Sequence, residues 1–157
     1  WHQWLGWWTM SDTQKLNDLL HLAHTRVLNA EELESLNALN GGLAELLGLQ
    51  FTHVGPREAR AKLQVRPEHH QPWGVANGGL YCSIAETVAS IASVAAAGAP
   101  AVGVNNSSDF IRSTGEGELE AVATPVQLGS RTHLWSVEML QGGKLIARTT
   151  LRTMILS

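Results

Sequence analysis

The stretch from residue 78 to residue 96, GGLYCSIAETVASIASVAA, constrains this chain more than any other. Apolar positions surround it at helical spacing on almost every side, so a helix here has to be enclosed by the rest of the fold. The apolar run continues to about residue 101, yet it carries Ser83, Thr87, Ser90, Ser93 and a single charge, Glu86. A central carboxylate with no flanking basic residues argues against a membrane span, so the expectation is a core helix of a globular protein with no membrane partner.

The flanking pattern says what encloses it. Residues 49–54 and 59–65 read as two strands around the Gly55-Pro56 turn, and PEHHQPWGVAN (67–77) reads as a loop. After Gly98-Ala99-Pro100 come four strands, 101–112, 117–127, 133–140 and 144–156, expected as a meander separated by glycine turns. In the third, Trp135, Val137 and Met139 alternate with Leu134, Ser136 and Glu138, so one face is apolar. The expected fold is therefore α+β, an antiparallel sheet wrapped around one central helix.

Upstream, residues 12–28 and 30–48 place leucine at helical spacing, with Gly41-Gly42 as a break in the second segment. The first nine residues, WHQWLGWWT, hold four of the six tryptophans. They read as a prefix foreign to the domain, or alternatively as a short interfacial anchor. The expected division is thus 1–9 as prefix, 10–48 as a helical extension and 49–157 as the main domain.

Composition removes whole classes of function. A net charge of -3 over 157 residues gives no electrostatic footprint for nucleic acid. The lone cysteine, Cys82, permits neither an intrachain disulfide nor a cysteine zinc cluster, and suits a reducing cytoplasm. The seven histidines lack metal-ligand spacing, so no metal is expected. Cys82 reads as a small buried side chain, Trp73 and Trp135 as core or pocket wall, and His69 and His70 as solvated loop residues. Asp109 and His133 read either as cleft-facing or as surface groups.

The chemistry concentrates between Gln71 and Ser93. Asn77 before Gly78-Gly79 is a good helix N-cap, and glycine lets a ligand approach the first turn, where free N–H groups and the helix dipole favour an oxyanion. Glu86 follows, with Ser90 one turn later on the same face. A buried lone carboxylate would have its pKa raised. From the residues alone, Glu86 is equally a catalytic carboxylate or the partner of a basic residue at a subunit interface.

The segment PWGVANGGLYCSIAET (72–87) resembles the active-site segment of hotdog-fold acyl-CoA thioesterases, in the branch acting on 4-hydroxybenzoyl-CoA, phenylacetyl-CoA-pathway and 1,4-dihydroxy-2-naphthoyl-CoA esters. Residues 101–113, 117–135 and 143–156 follow the same layout, so the resemblance spans roughly 45–156. It implies Glu86 as nucleophile or general base, the Gly78 N–H with Gln71 at the thioester carbonyl, and Ser90 at the hydrolytic water. It implies Arg112, Ser130, Arg131 and Thr132 against CoA, and a homodimer or homotetramer whose site draws on both subunits; Trp73, as a pocket wall, would meet the substrate, and a carboxylate, an oxyanion site and water need no cofactor. Asn77 stands where the family has histidine, which keeps the cap and loses the imidazole's positive charge. A non-catalytic acyl-CoA binding protein is the alternative function, and a hotdog hydratase or dehydratase, which would want a catalytic histidine, a more distant one.

Overall fold

The computed structural model describes residues 8–157. Residues 1–7 of the expected prefix lie outside them. Thr9 is the N-cap of α1 (Met10–Thr25), exchanging hydrogen bonds with Asp12, and Trp8 Nε1 donates to the Leu39 carbonyl at 2.7 Å. Asn29 and Glu32 form the same reciprocal cap for α2 (Ala30–Ala38); Arg26 and Asn29 are extended, and α1 ends earlier than its leucine spacing suggests. The expected break at Gly41-Gly42 is present: α3 (Gly42–Leu47) is a separate helix, opened by Gly42 at φ +56°.

Six strands then form one antiparallel sheet: β1 (Gln50–Val54), β2 (Ala59–Val65), β3 (Ala101–Phe110), β4 (Gly117–Leu128), β5 (Thr132–Gln141) and β6 (Lys144–Ile155). The order is β1-β2-β4-β5-β6-β3, curved around α4 (Gly78–Ala97). This is the hotdog arrangement. One expectation is corrected: the last four strands are not a simple meander. β3 pairs with β6, from Ala101 opposite Ile155 to Phe110 opposite Ala147, and residues 111–116 carry the chain back across to β4.

Burial follows period. β2 alternates perfectly, with Ala59, Ala61, Leu63 and Val65 inward, and in β5 Trp135, Val137 and Met139 are fully buried, as the alternation predicts. They meet Leu80, Ile84, Ala85, Val88, Ala89 and Ala92 from α4. Among the described residues α4 alone is long and apolar enough to span a membrane, and half of that window is buried inside the fold.

The two sheet edges differ. The Asn37 carboxamide on α2 donates to the Phe51 carbonyl at 2.9 Å and accepts from the Phe51 N–H at 2.8 Å, as a neighbouring strand would. Asn40 donates to the Leu49 carbonyl, and the Leu28 N–H to the Val54 carbonyl. The helical extension thus closes the β1 edge, whereas β3 has a strand neighbour on only one side.

Candidate active site

α4 starts where its sequence says it should. The Asn77 carboxamide oxygen accepts from the Gly79 N–H at 2.8 Å, and the Asn77 carbonyl accepts from the Leu80 N–H. The Gly78 N–H has no acceptor among the described residues, so the positive end of a 20-residue helix presents one free donor. Gly78 also has to be glycine, since a Cβ there would lie 2.3 Å from Cε2 of Phe110.

The loop ahead of the helix is clamped. Gln71 N–H bonds the Val75 carbonyl, Ala76 N–H the Thr114 carbonyl, and Asn77 N–H the His69 carbonyl. Gly115 packs so closely on the Gly74 carbonyl that a Cβ would sit 2.6 Å from the oxygen. Gln71 Oε1 accepts from the Trp73 N–H at 2.7 Å, which leaves its NH2 group as a free donor of fixed orientation. Gln71, Gly78 and Arg112 line one pocket of about 260 Å³, with Val75, Tyr81 and Phe110 in its apolar wall.

The two loop histidines are not solvated, contrary to the sequence expectation. His69 is buried; its Nδ1 accepts from the Arg66 N–H at 3.0 Å and its Nε2 donates to the Leu47 carbonyl at 3.0 Å. Burial, then the Arg66 charge, pushes its pKa down. His70 Nε2 donates to the Gly115 carbonyl at 2.6 Å. Both rings are structural struts and neither stands in for the missing family histidine. His133 is buried as well, its Nδ1 2.7 Å from Ser93 Oγ, and burial lowers its pKa.

Glu86 departs from expectation in its surroundings. It is exposed in the single chain, on a stripe of α4 with Gly79, Ser83 and Ser90, and forms no ion pair among the described residues. The helix is therefore enclosed on one side only. The open side lies beside β3, where Gly103 faces Glu86 and Asn106 donates to the Cys82 carbonyl at 2.9 Å. Cys82 is only partly buried. The hydroxyls of Ser83 and Thr87 donate to carbonyls one turn back, whereas Ser90 makes no such bond among the described residues.

Distances sort the remaining residues. Glu86 and Gly78 stand eight positions apart on one helix, about 12 Å along its axis. A carbonyl oxygen held on the Gly78 N–H is out of reach of the same chain's Glu86. Ser130 and Arg131 are exposed in the β4–β5 turn, where the Ile155 N–H bonds the Arg131 carbonyl, so with Thr132 they lie at the Ala101 end of β3. Arg112 follows the other end, about 30 Å away along the strand. Trp73, expected in the core or in a pocket wall, is 83% exposed and does not line the pocket. Sequence reasoning missed Tyr81 and Phe110; the glycine requirement at residue 78 is the one signal that something bulky approaches there.

Comparison with known proteins agrees with the fold. The profile of the thioesterase superfamily matches residues 74–147. A Mycobacterium tuberculosis H37Rv protein named an esterase is 43% identical over 68% of this chain and 80% of its own length. The 1,4-dihydroxy-2-naphthoyl-CoA hydrolase of Escherichia coli K12 is 32% identical over 79% of this chain and 94% of its own length. A solved thioesterase from Haemophilus influenzae, 28% identical, superposes with a TM-score of 0.75 over 80% of this chain and 90% of that one.

Proposed function

This chain belongs to the thioesterase superfamily and is a thioester hydrolase, and on that premise we propose that it hydrolyses acyl-CoAs with a compact, ring-bearing acyl group, using Glu86 as its catalytic carboxylate. The observation that carries this reading is the pocket at the N-terminus of α4, lined by both Gly78 and Gln71, each of which keeps a free N–H donor among the described residues. Two such donors stabilise the oxyanion that develops as a thioester carbonyl is attacked. Arg112, exposed beside this pocket, suits a CoA phosphate lying outside it. Tyr81 and Phe110 give this pocket an aromatic wall against which an aryl acyl group can pack.

The carboxylate for that carbonyl comes from a second subunit. Glu86 stands too far from its own Gly78 to attack, and it is exposed beside the β3 edge. Two copies joined across that edge bring Glu86 and Ser90 of one towards Gly78 and Gln71 of the other. The same two-fold brings Ser130, Arg131 and Thr132 towards the pocket that Arg112 lines, and covers Glu86. Trp73 then meets the substrate from its exposed loop. We place the protein in the cytoplasm as a homodimer, or a homotetramer of two such dimers. A monomer by light scattering at micromolar concentration would sink this assembly.

Glu86 acts either by direct attack on the thioester carbon or by taking a proton from attacking water, with Ser90 holding that water. Oxygen-18 in a single turnover separates the two: label in Glu86 marks a covalent anhydride. Asn77 keeps the cap but spends its oxygen on Gly79, so it adds no positive charge to the site.

The test is thiol release from aromatic and straight-chain acyl-CoAs, wild type against Glu86→Gln. Loss of the acid–base group should lower the rate by roughly a hundredfold or more. CoA esters bound by both proteins but cleaved by neither would instead leave an acyl-CoA binding protein.

A further inference from the structure

The pocket beside Gly78 contains a group that the proposed chemistry does not use. Tyr81 is 3% exposed, and its hydroxyl has no hydrogen-bond partner among the described residues. Its ring packs against Phe110 with centroids 5.6 Å apart, and Tyr81, Phe110 and Gly78 line the same cavity. Side chains on a helix lean towards its N-terminus, so the Tyr81 ring leans back over the turn that begins at Gly78.

An orphaned buried hydroxyl costs about 1–3 kcal/mol, and phenylalanine would fill the same space without that cost. Tyrosine at this position therefore calls for a partner that arrives with the ligand. We infer that Tyr81 is a specificity-determining residue, whose hydroxyl hydrogen-bonds an oxygen-bearing substituent on the ring of the acyl group. This rests on the acyl-CoA reading above and narrows it to oxygenated aryl groups. Burial pushes the Tyr81 phenol pKa up, so the hydroxyl keeps its proton and can donate. The hydroxyl is sealed in the unliganded chain, so a ligand reaches it by displacing Phe110, which packs on the Tyr81 ring and is 55% exposed at the end of β3.

The experiment is calorimetric binding of non-hydrolysable phenacyl thioethers of CoA, unsubstituted or carrying one hydroxyl at each ring position in turn, to wild type and Tyr81→Phe. Wild type should bind one hydroxylated analogue about tenfold more tightly than the unsubstituted one, and Tyr81→Phe should bind the two alike. Equal affinities in wild type, or a preference that survives in Tyr81→Phe, overturns the inference. If wild type cleaves CoA thioesters but shows no preference among the analogues, this inference alone falls. If it binds none of them, the acyl-CoA reading falls with it. Thermal unfolding gives a check that needs no ligand: Tyr81→Phe should melt at or above the wild-type temperature. A fall of several degrees would reveal a structural partner for the hydroxyl and overturn the inference.

Discussion

Gly103 on β3 and Glu86 on α4 face each other so closely that a Cβ at residue 103 would lie 3.0 Å from Glu86 Oε1 and 3.4 Å from its Cδ. The atoms it would meet are the end of a flexible side chain, so alanine there can be accommodated, but only by moving the carboxylate. Gly103→Ala should therefore fold normally while kcat falls roughly tenfold to a hundredfold, the penalty for misplacing a reacting group by about an ångström. Steady-state kinetics beside a melting curve checks it. Unchanged kcat would mean that the carboxylate's position is not set by β3.

At Gly78 the obstacle is a ring instead of a carboxylate. A Cβ would meet Phe110 at 2.3 Å, and the displaced ring or helix turn would carry the Gly78 N–H off its aim. Gly78→Ala should lower kcat/KM by roughly a hundredfold, the scale of losing one oxyanion donor. In a Phe110→Ala background the same change should cost much less, because the collision is gone. Purely additive losses in this double-mutant cycle would show that Phe110 has no part in the penalty.

The core helix, its cap and the alternation of β5 were legible in the sequence because each is a local pattern. Glu86, Gly78 and Gln71 were singled out as candidates by the resemblance of residues 72–87 to the thioesterase segment. What the sequence concealed depends on distant pairings. β3 lies beside β6, about fifty positions away at its start, and that edge position leaves Glu86 exposed where the apolar helix suggested burial. His69 finds its acceptor at Leu47 and His133 finds Ser93 forty positions back, so neither partner is visible in the local loop. Tyr81 and Phe110 meet only because β3 runs along the helix.

Asn37 closes the β1 edge with a two-bond mimic of a strand. Asn37→Ala leaves the Phe51 N–H and C=O without that partner and reopens the edge. The variant should lose about 1–3 kcal/mol of stability and form concentration-dependent higher oligomers, since an unpaired edge templates further strands. Urea unfolding and light scattering read the two effects separately. Wild-type size at high concentration would show that α2 shields the edge without this amide.

Acid should destabilise the fold before its carboxylates titrate. His69 and His133 both have pKa values held below the usual 6.5, chiefly by burial. Protonating His69 at Nδ1 would also replace the acceptor that Arg66 N–H uses with a second donor. The unfolded chain binds these protons near pH 6.5 while the folded chain resists them, so stability is full above that value. It declines as pH falls towards the lowered folded values. Asp12 and Glu32 have depressed pKa values too, Glu32 at about 2, but their unfolded forms titrate only near 3.8 and 4.5. The urea midpoint should hold between pH 8 and 7 and drop between pH 6.5 and 5. A midpoint that stays flat down to pH 5 would mean that the two imidazoles are already charged in the folded protein.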